Sequence, residues 1–395
     1  MTGWLDLSVI YGSASERAIA IRTMQNGKIE MQAGGNLAYN HKGIANLNLF
    51  GKKIERLVVS GDNRVNVQPG LLTMHTLWAR EHNRVADELL AKDPTMTDRN
   101  VFLLARDATI ATYQSVLLYE WLPTVLGAAA LRRHHLNSYA DGGGYQPDSI
   151  DARVANEFAS VAFRFGHSQV TDILHRLGAD GKSTKYGHLH LRDNYFSPGR
   201  VLKQGGLDPI LRGMILTASQ EVDTKAVDGV RNFLFGTNTK GFDLVALNIQ
   251  RGRDHGIPDY NSLREALGLK RRASFKDITS DADVAAKLDT LYGGKIDDVD
   301  AFVAGLAEDH VEGGAVGELF ATIIGDQFRR LRNGDRLWFE NTAQKIGLDI
   351  DAIRKTTMAD VVNRNSGLDL ADVAWQGIAE GRSAFRVPGA GKTEM

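Results

Sequence analysis

The chain has 395 residues, of which 43% are hydrophobic and 24% are charged, and its formal net charge is −1. This composition is typical of a globular protein with a large core, and the balanced charge excludes a general attraction to nucleic acid or to an anionic membrane. There are no cysteines, which excludes disulfides, iron–sulfur clusters and zinc–thiolate sites, so a transition-metal site would depend on the 11 histidines. No apolar run approaches the roughly 20 residues that span a bilayer, and no charged segment followed by an apolar run marks a signal peptide.

The first predicted element is a short strand at the start of the chain. Alternate residues of a strand point to one side, so Thr2, Asp6 and Ser8 would share a face, with Trp4 between them. The simplest interpretation is a polar strand face. The alternative is part of a calcium loop, because calcium binds carboxylate, hydroxyl and carbonyl oxygens; it takes about six to eight of them, so a further carboxylate would be needed.

A Gly- and Asn-rich loop at residues 60–69 precedes the first long predicted helix, and it contains Arg64. A solvated charge is the usual role of an arginine in such a loop. If Arg64 instead faced a haem, its permanent charge could polarise a bound peroxide.

Helical periodicity dominates most of the remaining sequence, so we predict a mainly α fold with little β structure, forming one domain over residues 1–387 and a flexible tail over 388–395. His75 and His82 lie on one predicted helix about 10 Å apart, too far to bind one ion, and are predicted to be structural. Residues 171–205 read as an irregular connection. Helices are predicted after Pro69 as far as Asp93, over 101–121 with a break at Pro123, over 154–167, 209–235, 243–253 and 320–331, and from near Pro258.

Residues 162–168 combine aromatic side chains with Arg164 and His167, which are three positions apart and therefore neighbours on a helix. A lone histidine on an apolar helix is more often a hydrogen-bonded core residue than a ligand. The combination would nevertheless suit haem, with an imidazole for the iron, apolar walls for the macrocycle and an arginine for a propionate.

A second polar segment, residues 247–256, offers Asn248 and Arg251 on one helix face. An axial histidine needs an acceptor for its other ring N–H, and the carbonyl of an asparagine can supply it. For Arg253 and Asp254 we predict only a structural ion pair near the helix end.

Together these segments resemble the animal-type haem peroxidases, the superfamily of myeloperoxidase, lactoperoxidase and peroxidasin, to which the cyclooxygenases are related. The similar blocks occur in the same order over most of the chain. They are WLDLSVIYGS at 4–13, GDNR at 61–64, residues 75–89, FRFGH at 163–167, GLDPILRG at 206–213, and residues 246–260 and 331–341. The resemblance implies a mostly helical haem-binding domain.

The resemblance also implies residue roles. His167 would be the axial ligand of the haem iron and Asn248 its hydrogen-bond partner, while Arg164 and Arg251 would bind the haem propionates. Arg64 would be the catalytic distal arginine beside the peroxide.

Further implied features concern the calcium site and the haem linkage. Thr2, Trp4 through its carbonyl, Asp6 and Ser8 match the family's calcium loop, although the site is incomplete. Val67 stands where esterifying members have a glutamate, so the cofactor would be non-esterified haem b. In the family's order the distal histidine and the calcium aspartate precede this loop, and we expect this chain to lack that segment.

The implied function is reduction of hydrogen peroxide and oxidation of a halide, thiocyanate or small aromatic donor, with a role in the response to oxidative stress. A segment or chain carrying the distal histidine would be the expected partner. The alternatives are a non-catalytic haem-binding protein or subunit and a fatty-acid dioxygenase, for which no Tyr-x-x-His-Pro-like sequence is found. The resemblance favours secretion, while the sequence itself leaves the compartment open.

Overall fold

The computed structural model describes residues 1–139, 143–237 and 241–370 and is mainly helical. Its named strands within these residues, Ile173–Leu174 and Leu189–His190, form one antiparallel pair. The prediction of a mainly α fold with little β structure is therefore confirmed. The predicted domain end at residue 387 and the tail at 388–395 lie outside the described residues.

Most of the helices in the described residues are short, and four of them have 12 residues or more. The α-helices are Ser8–Tyr11, Ser15–Ala20, Pro69–Lys92, Asp98–Ser115, Leu122–Arg133, Asn156–Ser160, Pro198–Lys203, Asp208–Leu216, Asp228–Arg231, Leu244–Asp254, Tyr260–Ala266, Ala282–Leu291, Ala301–Ala307, Glu318–Gly334, Phe339–Thr342, Ile350–Lys355 and Met358–Asn365. The 3₁₀ helices are Ile54–Arg56, Ala162–His167, Leu191–Asp193, Phe275–Asp277, Ile296–Asp298 and Ala343–Ile346, and Val116–Trp121 is a π-helix.

The core is built around the long helices. Pro69–Lys92 packs against Asp98–Ser115, and Leu122–Arg133 packs against Glu318–Gly334. The last of these carries fully buried apolar residues such as Phe320. Burying one such side chain contributes roughly 1.5–3 kcal/mol, so these helices form the stable framework of the fold.

Several predicted elements differ from the structure. The opening strand is wrong, because Leu7 adopts a left-handed backbone (φ 49°) and turns the chain into the helix Ser8–Tyr11. Pro123 does not end a helix. It lies in the first turn of Leu122–Arg133, where a backbone N–H has no partner within the helix, so proline costs no hydrogen bond. The predicted helix 209–235 is helical only over Asp208–Leu216 and Asp228–Arg231, because the intervening residues leave the helical conformation at Thr217.

Candidate functional site

A backbone break positions the histidine of the FRFGH sequence. The predicted single helix is instead Asn156–Ser160 followed by the 3₁₀ helix Ala162–His167, and Val161 between them is non-helical (φ −126°, ψ −79°). Residues three apart eclipse each other in a 3₁₀ helix, so Arg164 and His167 lie on the same side.

Asn248 joins this pair from a different part of the chain. The helix Leu244–Asp254 starts at Asp243, whose carboxylate accepts hydrogen bonds from two backbone N–H groups of the first turn. Asn248 is fully buried on this helix. Its Nδ2 lies 2.8 Å from Nδ1 of His167, and its Oδ1 accepts a hydrogen bond of 2.7 Å from Nη1 of Arg164. His167 and Arg164 lie 81 and 84 positions before Asn248 in the sequence, and the three side chains form one polar group.

The direction of the Asn248–His167 bond differs from the sequence prediction. We expected the asparagine carbonyl to accept from the ring N–H, but the amide nitrogen faces the imidazole. Because a guanidinium can only donate, Arg164 holds the carbonyl oxygen of Asn248 toward itself. Nδ1 of His167 is consequently an acceptor in this arrangement, and the ring proton is on Nε2.

The electrostatic setting keeps the imidazole neutral. Burial and, to a smaller extent, the charge of Arg164 lower the pKa of His167 to about 4, although the hydrogen bond with Asn248 opposes the shift. Burial and the neighbouring charge of Arg251 likewise lower the pKa of Arg164. Within the described residues neither arginine contacts a carboxylate, so Arg164, beside the histidine, and Arg251, near Arg164, have no counter-ion.

An apolar surface lies beside these polar groups. The ring of Phe163 is 42% exposed, stacks on Phe158 at a centroid distance of 4.4 Å and meets the edge of Trp121 at 6.4 Å. A neutral imidazole, an exposed aromatic face and two arginines without counter-ions match the iron, the macrocycle and the propionates of haem. The residues present therefore fit this cofactor.

Arg64 belongs to a second group of residues. Its backbone N–H and Nε donate to Oδ1 of Asp62 at 2.9 and 3.0 Å, and its Nη2 donates to Oδ2 at 2.8 Å, while 58% of the Arg64 side chain stays exposed. Asp62 itself is buried. Asp62 was not among the residues predicted for the site, although the Asp-x-Arg spacing is a signal for such a pair. No hydrogen bond or ion pair among the described residues links Arg64 to His167.

The loop that carries Arg64 is pressed against the first helix. Gly61 N donates to Ile10 O at 3.0 Å and Asp62 N to Val9 O at 2.8 Å. A Cβ on Gly61 would lie 2.3 Å from the backbone O of Ser8, so only glycine permits this approach.

His75 and His82 are both buried. His82 is bonded on both sides, through Nδ1 to the Tyr11 hydroxyl at 3.0 Å and through Nε2 to Gly27 O at 2.8 Å. His75 contacts Leu71 O through Nδ1 at 2.8 Å, while its buried Nε2 has no partner among the described residues. Among the described residues, no hydrogen bond or ring contact joins His75 or His82 to His167.

The predicted calcium residues come together, but through hydrogen bonds to one another. Thr2 Oγ1 donates to Asp6 Oδ1 at 2.8 Å and lies 3.2 Å from Ser8 Oγ, and Trp4 N donates to Thr2 Oγ1 at 3.3 Å. Across residues 1–139, 143–237 and 241–370 there is no cluster of three or more His, Asp or Glu side chains arranged to hold a metal ion. Calcium binding here stays a prediction.

Fold and site together define a mainly helical protein with a candidate haem-binding histidine. The model of the family described as animal haem peroxidase matches residues 1–374. The chain is 37% identical to peroxinectin A of Dictyostelium discoideum over 371 residues, which covers 92% of this chain and 66% of that protein. It is 36% identical to peroxidasin of Drosophila melanogaster over 360 residues, which covers 86% of this chain and 23% of that protein. This chain belongs to the animal haem peroxidase family, as its sequence resemblance predicted.

Solved structures agree with this assignment. Peroxidase A from Dictyostelium discoideum superposes with a TM-score of 0.82 at 37% identity, covering 92% of this chain and 68% of that one. A fatty acid alpha-dioxygenase of Oryza sativa superposes with a TM-score of 0.76 at 23% identity, which shows a shared fold alone. No helix within the described residues is long and apolar enough to cross a membrane.

Proposed function

We propose that this chain is a haem-dependent peroxidase domain that reduces hydrogen peroxide and oxidises a small donor such as a halide, thiocyanate or phenol. The observation that carries the proposal is the contact of His167 with buried Asn248, which in turn accepts a hydrogen bond from Arg164, an arginine without a carboxylate partner among the described residues. Bound haem would supply the redox chemistry, the two-electron reduction of peroxide and the return of the electrons from the donor.

In this proposal His167 binds the iron and Asn248 sets its orientation. An imidazole that binds iron through Nε2 carries its proton on Nδ1, so Asn248 has to turn its amide and present Oδ1. Arg164 then loses its present acceptor and is free to pair with a propionate, with Arg251 available for the other. The cofactor is proposed to be haem b without an ester at Val67, because valine has no carboxylate to form one.

Arg64 is proposed to act on the peroxide that the bound cofactor would reduce. Asp62 holds the Nε and Nη2 edge of its guanidinium, and Nη1 makes no hydrogen bond to the described residues. A donor with a permanent charge can stabilise negative charge as the peroxide bond breaks.

Peroxide cleavage also needs a base, and general acid–base catalysis contributes roughly 10²–10⁴-fold. We propose that this base comes from polypeptide that precedes Thr2 in the family's order or from a partner chain. The same polypeptide would supply the further carboxylate of a calcium site formed with Thr2, Trp4, Asp6 and Ser8.

The experiment that tests axial ligation is a haem titration followed by its Soret band. His167→Ala should abolish stoichiometric binding, whereas His190→Ala, a change at an exposed histidine outside the site, should leave it intact. A normal Soret band and full haem content in His167→Ala would refute the assignment.

Stopped-flow mixing of the haem-loaded protein with peroxide tests the distal side. Arg64→Ala should slow the spectral change while Arg56→Ala, at an exposed arginine, should not. A bulky substituted imidazole added to the wild type should raise the rate if a base is missing. No peroxide reaction under any of these conditions would favour the alternative, a haem-binding protein or subunit without turnover.

A further inference from the structure

A cavity of about 510 Å³ lies apart from the candidate haem site and shares no residue with it. Three segments far apart in the sequence form it: the end of the helix Leu122–Arg133, the residues that follow the helix Tyr260–Ala266, and the first turns of the helix Glu318–Gly334. Its polar lining consists mainly of cations, namely Arg133, Arg264, Lys270 and Arg272, together with His134, Glu318 and Thr322.

The cations outnumber the carboxylates that contact them. The side chain of Arg264 is 1% exposed and donates at 2.6 Å to both Glu308 and Glu318, and Arg272 donates to Glu318 at 3.2 Å. The two exposed cations, Arg133 and Lys270, pair with no carboxylate in the part of the chain that the structure describes. Four positive and two negative groups leave an excess of two positive charges around one cavity.

Two buried nitrogen atoms at this cavity also lack partners. Nε of Arg272 and Nε2 of His134 are inaccessible and make no hydrogen bond to the described residues. Leaving a buried polar atom without a hydrogen bond destabilises the folded state, and an arginine nitrogen can only donate. Buried polar atoms of this kind are usually satisfied by ordered water or by an atom of a bound ligand.

Close packing against Gly325 fixes the position of the His134 ring at the cavity. The residue is 9% exposed, and its imidazole lies on Gly325 so closely that a Cβ would come within 2.3 Å of Cδ2. Burial lowers the pKa of His134 to about 4, so the ring is neutral and adds a polar atom without a charge. The ring of His134, the three arginines and Lys270 therefore line a preformed, positively charged cavity.

We propose that this cavity binds a small polyvalent oxyanion that carries phosphate or sulfate groups. Arginine guanidinium groups bind such oxygens through paired N–H donors, and lysine adds a mobile positive charge. A monovalent ion would leave positive charge uncompensated, whereas a ligand with two or more negative charges matches the excess of two. The volume is within the range of small-ligand sites.

Calorimetric titration of the haem-loaded full chain tests this proposal with tripolyphosphate and, separately, with a sulfated disaccharide. Saturable binding of either is expected, weakening as salt rises, and the tighter of the two identifies the source of the anionic groups. The double variant Arg133→Gln with Lys270→Gln should weaken binding roughly tenfold or more, since two charged contacts are lost.

A matched double variant, Arg132→Gln with Lys276→Gln, removes two exposed charges that do not line the cavity and should bind like the wild type. Both double variants should keep the wild-type Soret band, which separates this proposal from the haem proposal. Absence of saturable binding of both ligands, or equal weakening in the two double variants, would overturn the proposed site.

Discussion

Replacing Asn248 by alanine removes two hydrogen bonds from the centre of the candidate haem site. Asn248 is fully buried, and its loss leaves Nδ1 of His167 and Nη1 of Arg164 without their partners at 2.8 and 2.7 Å. Each unsatisfied group costs about 1–3 kcal/mol, and Arg164 recovers part of this from water, so we expect the haem-free protein to lose about 2–4 kcal/mol of unfolding free energy.

The same substitution should weaken haem binding. Loss of the partner that orients a metal-binding histidine typically lowers affinity 10–100-fold, which corresponds to about 1.4–2.7 kcal/mol. Affinity is measured by Soret titration against a competing haem acceptor, and stability by urea unfolding. Asn248→Asp, which keeps an acceptor facing Nδ1, should recover most of the affinity.

Asn40→Ala is the matched control, because Asn40 is also buried and also makes two hydrogen bonds, both to the backbone of Ile44. It should lower the unfolding free energy by a similar amount and leave haem affinity unchanged. The proposed role of Asn248 is refuted if Asn248→Ala binds haem as tightly as the wild type, or if Asn40→Ala loses affinity equally.

Three further predictions concern stability. Burial alone would raise the pKa of Asp62, but hydrogen bonds from Arg64 outweigh it and hold that pKa below its usual value. The wild type should therefore exceed Asp62→Asn in unfolding free energy by about 1–3 kcal/mol at neutral pH, and this difference should vanish as the pH falls through the lowered pKa; a difference independent of pH would contradict it. Gly61→Ala should cost about 1–3 kcal/mol in urea unfolding through overpacking, whereas Gly199→Ala, whose Cβ would meet no atom within 4 Å, should stay close to the wild type. Glu81→Gln, at a fully buried carboxylate held by two arginines and an asparagine, should lower the melting temperature and cost about 3–5 kcal/mol; an unchanged transition would show that this ion cluster contributes nothing.

Local sequence patterns anticipated the elements with strong periodicity. The long helices Pro69–Lys92 and Glu318–Gly334 were predicted close to their observed positions, because apolar residues at helical spacing specify a buried face. The opening strand failed because two-residue alternation over a few positions does not distinguish a strand from a turn. The break at Val161 also escaped prediction, since the apolar spacing continues through it.

The sequence by itself determined the family, the mainly helical fold and the identity of the residues proposed to hold haem. Tertiary structure decided the rest: which amide atom of Asn248 meets His167, how Asp62 pairs with Arg64, and how three distant segments form an open basic cavity. The physical reason is the difference in sequence separation between the interacting groups. Periodicity and spacing report on neighbours within one or two turns, whereas hydrogen-bond direction, close backbone approach and summed charge depend on groups brought together from distant parts of the chain.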